Sequence, residues 1–162
     1  MTHIRDMVEP DFASIVSLND AEVQQTSPMD LGRLRLLVAM ASYCKVAVVE
    51  GQVAAFVIAL REGASYENGN YTWFAARFPR FLYVDRIVVS AGFSGHRIGT
   101  RLYGDMFELA RSHGIGVITC EYNIQPPNPS SRAFHDKFGF REVGTHWVAG
   151  GTKLVSLQVA GT

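Results

Sequence analysis

The sequence predicts a mixed α/β fold, on three patterns. Apolar runs bounded by turn residues recur, as at Lys45 to Glu50, Val53 to Leu60 and Phe81 to Ser90. Apolar residues also recur at helical spacing, most clearly at Ile98, Leu102, Met106, Leu109 and Ala110. From Phe81 onward, strand and helix patterns alternate, as a parallel β-α-β unit with a right-handed crossover requires.

In order, Thr2 to Met7 reads as a first strand. Glu9-Pro10-Asp11 opens a helix, since proline suits a first turn. Phe12, Ile15, Val16 and Asn19 share one face of it. Gln24 to Pro28 reads as a loop. Asp30 caps a second helix with an apolar stripe of Leu31, Leu34, Leu37, Val38 and Ala41. Two strands then flank Gly51-Gln52, a hairpin signal. Glu62 to Pro79 is polar and aromatic and reads as one long loop, a kind of segment that is usually functional. After the strand to Ser90 and a glycine-rich turn, the third helix runs to near Gly114. Val117 to Asn123 is a strand that Gln125-Pro126-Pro127 breaks. Asn128-Pro129 opens a fourth helix, which Gly139 closes with Phe140 as the trailing hydrophobe. Thr145 to Val148 and Lys153 to Val159 form a last pair around Ala149-Gly150-Gly151. The expected order is β-α-α-β-β-β-α-β-α-β-β, one domain over residues 1–162, with a mixed sheet and helices on both faces.

Composition narrows the function. With 162 residues, 48% of them hydrophobic, the chain can bury a core and is not disordered. Fifteen basic residues balance fifteen acidic ones, without the basic stripe of a general nucleic-acid binder. Cys44 and Cys120 are far apart, form no C-x-x-C pair and sit in strand-like apolar runs. They read as buried and inert rather than as a metal site, a redox pair or a catalytic thiol. The segment Met1 to Phe12 has no apolar core of a secretory signal, and no stretch is long and apolar enough to span a bilayer. A cytoplasmic protein with no membrane partner is expected.

Two stretches carry chemistry. In Asp85 to Leu102, an apolar strand runs through a glycine-rich turn into a helix, with Gly95, Gly99, His96, Arg97 and Arg101 near the helix start. A helix start offers unpaired N–H groups and positive partial charge, and glycines admit an anion close to the backbone. Taken alone, such glycines serve equally to turn a crossover. The stretch is neither a Walker P-loop nor a dinucleotide fingerprint. In the second stretch, Asn128 to Phe140, Asn128 reads as a good N-cap and His135 as a partly exposed structural histidine.

Together the two stretches resemble the GNAT superfamily of N-acetyltransferases. Ser94-Gly95-His96-Arg97-Ile98-Gly99 matches the family's pyrophosphate motif (Q/R)-x-x-G-x-(G/A), with Ser94 for the usual glutamine or arginine and Arg97 for the first glycine. Asn128, Ser131, Phe134, Gly139 and Phe140 fall at the places of N-x-x-(A/S)-x-x-F-Y-x-x-x-G-F. FLYVDRIVV and CEYNIQPPN look like a little-characterised bacterial branch of predicted acetyltransferases.

The resemblance implies acetyl-CoA as co-substrate, no metal, and a small-molecule or peptide amine as acceptor. It implies a cofactor set of Ile87, Val88, Val89, Ser94, Gly95, His96, Arg97, Ile98, Gly99, Thr100, Asn128 and Ser131. Acyl-CoA would lie in the splay between the strands ending at Val89 and Asn123, with amides around Val88 and Val89 polarising the thioester carbonyl. His135 stands where the family often has a tyrosine that protonates the departing thiolate, and an imidazolium can do the same. Asp85 and Glu121 are the candidate bases, each with structural pairing as its alternative. The loop Gln24 to Asp30, the aromatic segment and the turn near Gly150 would line the acceptor's entrance. Tyr71, Trp73 and Phe74 would stack on the acceptor, fill the core or form a homodimer contact. The altered Ser94 and Arg97 and the missing tyrosine also suit a non-catalytic acyl-CoA-binding module. A hydrolase elbow at Gly92-Phe-Ser94-Gly95 lacks the glycine that His96 replaces.

Overall fold

The computed structural model describes residues 1–23 and 26–162. Gln24 and Gln25, which open the expected loop to Pro28, lie outside the described residues. In chain order the elements are β1 (Thr2–Asp6), α1 (Phe12–Ala21), α2 (Leu31–Met40), β2 (Tyr43–Val49), β3 (Gln52–Arg61), α3 (Gly69–Ala75), β4 (Leu82–Val89), α4 (Ile98–Ser112), β5 (Val117–Gln125), α5 (Pro129–Lys137), β6 (Arg141–Val148) and β7 (Lys153–Gly161). The described strands form one mixed sheet in the order β1-β2-β3-β4-β5-β7-β6. β4 and β5 run parallel, with Leu82 opposite Ile118 and Tyr83 opposite Thr119. The pairs β1-β2, β2-β3, β5-β7 and β6-β7 are antiparallel. The mixed α/β class and the parallel pairing of β4 with β5 are as the sequence predicts.

The chain divides into two compact units. The first holds Met1–Leu60 and Asp85–Met106. Its core includes Phe12, Ile15, Leu34, Leu37, Val46, Phe56, Ile98 and Leu102, all buried. Glu9–Asp11 forms a 3₁₀ turn ahead of α1, and Asp30 Oδ1 caps α2 by accepting from Arg33 N at 2.8 Å. The expected α2 stripe is narrower than its spacing implies, because Leu31 is 40% exposed. The β2-β3 turn is Glu50-Gly51 rather than Gly51-Gln52. Both residues take positive φ, 50° and 77°, and Val49 faces Gln52. That geometry is a two-residue primed turn, whose twist matches that of the strands.

The second unit holds Arg61–Val84 and Phe107–Thr162. Its core is aromatic: Tyr71, Phe74, Phe81 and Tyr83 are buried, and Tyr71 lies with its ring centroid 5.5 Å from Phe81 and 5.6 Å from Tyr83. The expected long loop Glu62 to Pro79 contains α3. Asn68 caps this helix, its Oδ1 accepting from Asn70 N and Tyr71 N, both at 3.0 Å. Both later helices in this unit end as a Schellman turn. Phe140 N donates to His135 O and Gly139 N to Asp136 O after α5, with Gly139 at φ 81°. Ile115 N and Gly114 N repeat the pattern after α4.

Candidate active site

In the first unit, β4 leads through a 3₁₀ turn at Ala91–Phe93 into the start of α4. Val88 is buried, while Ser94, Gly95, His96 and Arg97 are exposed and Ile98 is again buried. Gly95 takes φ 83°, and no atom lies within 4 Å of where its Cβ would stand. Arg97 takes φ 57°, the left-handed region where glycine is at ease and a side chain is strained. This is the position of the motif's missing glycine, so the backbone keeps a glycine's conformation under an arginine side chain. His96 folds back on its own turn, Nδ1 lying 3.0 Å from Phe93 O. The open turn and the left-handed residue leave the backbone accessible at a helix start, where unpaired amides suit an anion.

Asp85 is committed elsewhere. Its Oδ2 accepts from Arg86 Nε at 2.7 Å, and the two side chains are only 3% and 5% exposed. Arg86 is anchored further, by bonds to Asn19 Oδ1, Ser27 O and Ser27 Oγ, each at 3.0 Å. A buried pair of this kind is costly to break, because removing one partner strands the other. The structural pairing weighed for Asp85 is therefore present.

The second unit gathers a polar cluster around Glu121 on β5. Glu121 Oε1 accepts from Tyr83 Oη at 2.7 Å and from Asn70 Nδ2 at 3.0 Å. Tyr83 is fully buried, Asn70 is buried and Glu121 half-buried. Asn70 Oδ1 lies 3.2 Å from His146 Nδ1. Sequence reasoning named Glu121 but missed Asn70 and His146. Their partners lie 51 and 76 residues away, so no local spacing links them.

On α5, Asn128 acts as the N-cap, Oδ1 accepting from Ser131 N at 3.2 Å. His135 is buried, not partly exposed as its place off the Phe134/Phe138 stripe suggests. Tyr122, Phe134 and Phe140 surround it, with ring centroids 5.1 to 5.7 Å away. Its Nδ1 lies 2.7 Å from Ser131 O; a carbonyl only accepts, so Nδ1 carries the proton. Burial lowers the imidazole pKa, partly offset by this bond and by Asp136. At pH 7 the ring is therefore neutral, and proton donation from Nε2 belongs to lower pH.

Of the three aromatic candidates, Tyr71 and Phe74 are buried in the core. Tyr71 Oη donates to Arg61 O at 2.6 Å and accepts from Ala64 N at 3.0 Å. Trp73 is half-buried, with the Arg77 guanidinium 3.7 Å over its ring. Cys120 is buried, and its thiol is held well above the ordinary range, mainly by burial. Cys44 is half-buried, not buried as expected, and burial pushes its thiol up to about 12. Neither thiol is ionised at pH 7, and thiolate is the reactive form. Among the described residues no three His, Cys, Asp or Glu side chains are grouped to hold a metal ion. No described helix is long and apolar enough to cross a membrane.

The model of the acetyltransferase (GNAT) family matches residues 3–140. The chain belongs to this family of acetyl-CoA-dependent acyltransferases. Among curated proteins none matches it. Solved structures share its fold at low identity. Ard1 from Thermoplasma volcanium superposes with a TM-score of 0.81 at 14% identity, over 99% of this chain and 97% of its own. The ribosomal-protein-alanine N-acetyltransferase from Brucella melitensis gives 0.75 at 20% identity, over 99% of each chain. The IAA acetyltransferase from Bacillus cereus gives 0.71 at 14% identity, over the full length of both.

Proposed function

We propose that this chain, acting as one domain over residues 1–162, moves an acetyl group from acetyl-CoA to a primary amine of a small molecule or peptide. The amine attacks the thioester carbonyl directly. The observation that carries the reading is the carboxylate of Glu121, held at one oxygen by Tyr83 and Asn70 in a member of this family.

Acetyl-CoA supplies an activated acyl group. Ile87 to Val89 hold it through backbone amides, and Ser94 to Thr100 take its pyrophosphate. Asn128 and Ser131 shape the start of α5. Glu121 accepts the proton that the amine loses. Tyr83 and Asn70 hold one of its oxygens in place. Asp85 is left to Arg86. His135 gives the departing thiolate its proton from Nε2, a role open below its lowered pKa. Trp73 is the aromatic side chain proposed to meet the acceptor, since Tyr71 and Phe74 are buried. The structural neighbours have names as different as ribosomal-protein-alanine N-acetyltransferase and IAA acetyltransferase, so the acceptor class stays broad. A cytoplasmic location is part of the same proposal.

The test is thiol release from acetyl-CoA across a panel of primary amines and amine-bearing peptides, with the acetylated product identified by mass. Amine-dependent release that falls by about 10²-fold or more in Glu121→Gln supports the reading. Tight CoA binding with no turnover on any amine would instead favour a non-catalytic acyl-CoA-binding module.

A further inference from the structure

We propose that Asn70 and His146 are positioning residues that orient the Glu121 carboxylate through a directed hydrogen-bond chain. The inference rests on Glu121 being the base and adds how the fold holds it.

The direction of the chain follows from donor chemistry. A carboxylate only accepts, so the Asn70 atom facing Glu121 Oε1 at 3.0 Å is the amide nitrogen. The amide oxygen then faces His146, 3.2 Å from Nδ1. An amide oxygen only accepts, so Nδ1 is protonated and donates. His146 thus fixes which way the Asn70 amide points, and Asn70 fixes Glu121 Oε1. Tyr83 binds the same oxygen from β4. The backbone of Asn70 is held as well, because its N–H caps onto Asn68 Oδ1.

Two glycines bring β6 and α3 close enough for this. A Cβ on Gly69 would stand 3.3 Å from His146 Cε1, tighter than ordinary contact. A Cβ on Gly144 would stand 2.8 Å from Trp73 Cζ2. Each element thus carries a ring that rests on a glycine of the other. α3, which sequence reading leaves as loop, delivers Asn70 to the carboxylate. Among the described residues, the titratable groups linked to Glu121 include Tyr83 from β4 and His146 of β6 through Asn70; Cys120, its neighbour on β5, points to the other face of the sheet, and the Glu121 charge adds to burial in holding that thiol up.

The readout is the Glu121 titration in the free protein, followed by carboxyl ¹³C NMR and assigned by its loss in Glu121→Gln. Asn70→Asp exchanges a donor for a like charge and is expected to raise the Glu121 pKa by about one unit or more. His146→Leu is expected to raise it less and to lower turnover severalfold. His146→Gln, which keeps a donor for the Asn70 oxygen, restores both. The His146 pair decides the matter if Asn70→Asp does not fold. Full turnover in Glu121→Gln overturns the base assignment and this inference with it. Lost turnover in Glu121→Gln, with an unmoved Glu121 titration in Asn70→Asp, or in the His146 pair if Asn70→Asp does not fold, overturns this inference alone.

Discussion

The Trp73 ring occupies the space in which a side chain at Gly144 would begin. A Cβ there would stand 2.8 Å from Cζ2 and 3.2 Å from Cη2 of the indole. At that distance something must shift, and the neighbour is a broad, half-buried indole with the Arg77 guanidinium over it rather than the tip of a slim flexible side chain. Gly144→Ala is expected to cost about 1–3 kcal/mol, the usual penalty of overpacking. Denaturant unfolding measures the loss. Combining Gly144→Ala with Trp73→Leu should recover much of it. A Gly144→Ala variant as stable as the parent would mean that α3 and β6 do not depend on this contact.

Arg5 grips Asp11 with two bonds, 2.7 and 2.8 Å long, and these hold the Asp11 carboxyl below the usual carboxylate range. A depressed acid stabilises the fold above its unfolded pKa, near 3.9, and loses that contribution as pH falls through the folded value. Arg5 is about one-third exposed, which keeps the effect modest. Asp11→Asn is expected to cost about 1 kcal/mol at pH 7 and clearly less at pH 3. Urea midpoints at the two pH values check this. An equal loss at both would assign the effect to packing rather than charge.

His135 gives the opposite end of the scale. Its folded pKa lies below the unfolded value because burial opposes the charged ring. The fold thus favours neutral imidazole. The associated stability is complete above about pH 6.5 and is lost as pH falls through the lowered folded value. The unfolding midpoint should drop across that window, and His135→Phe should flatten the drop. Turnover that uses His135 as acid falls as pH rises through the same value. Full turnover in His135→Ala at every pH would remove His135 from that role.

Arg97 carries backbone strain at the turn before α4. Arg97→Gly removes the clash of Cβ in the left-handed region and is expected to leave stability unchanged or to raise it by up to about 1 kcal/mol. Arg97→Val should lower it, since a branched side chain fits φ 57° worse. Thermal midpoints of the two variants decide. A loss in Arg97→Gly as large as in Arg97→Val would show that the arginine side chain itself stabilises the turn.

Much of the fold was legible because its signals are local. Asp30 before an apolar stripe, Pro129 at a first turn, and Gly114 and Gly139 after a last turn each mark a helix end by their own chemistry. The strands of β3 and β4 announce themselves as apolar runs. α3 was not legible as a helix: a glycine, an asparagine, a threonine and three aromatics weaken its propensity, and tertiary burial of Tyr71 and Phe74 outweighs that. In the candidate site, Glu121 was legible as a carboxylate on an apolar strand. Asn70 and His146 were not, since each meets its partner only after long stretches of chain are brought together. The burial of His135 also escaped, because it depends on Tyr122 and Phe140 closing around the ring.

The most direct test of acetyl-CoA dependence in this chain is thermal unfolding with acetyl-CoA, free CoA and ATP. A ligand that binds only the folded state raises the midpoint by mass action. Acetyl-CoA is expected to give a clear rise, larger than that with ATP. No rise at millimolar acetyl-CoA would contradict that dependence, and would mean that Ser94 and Arg97 have cost the turn its ligand.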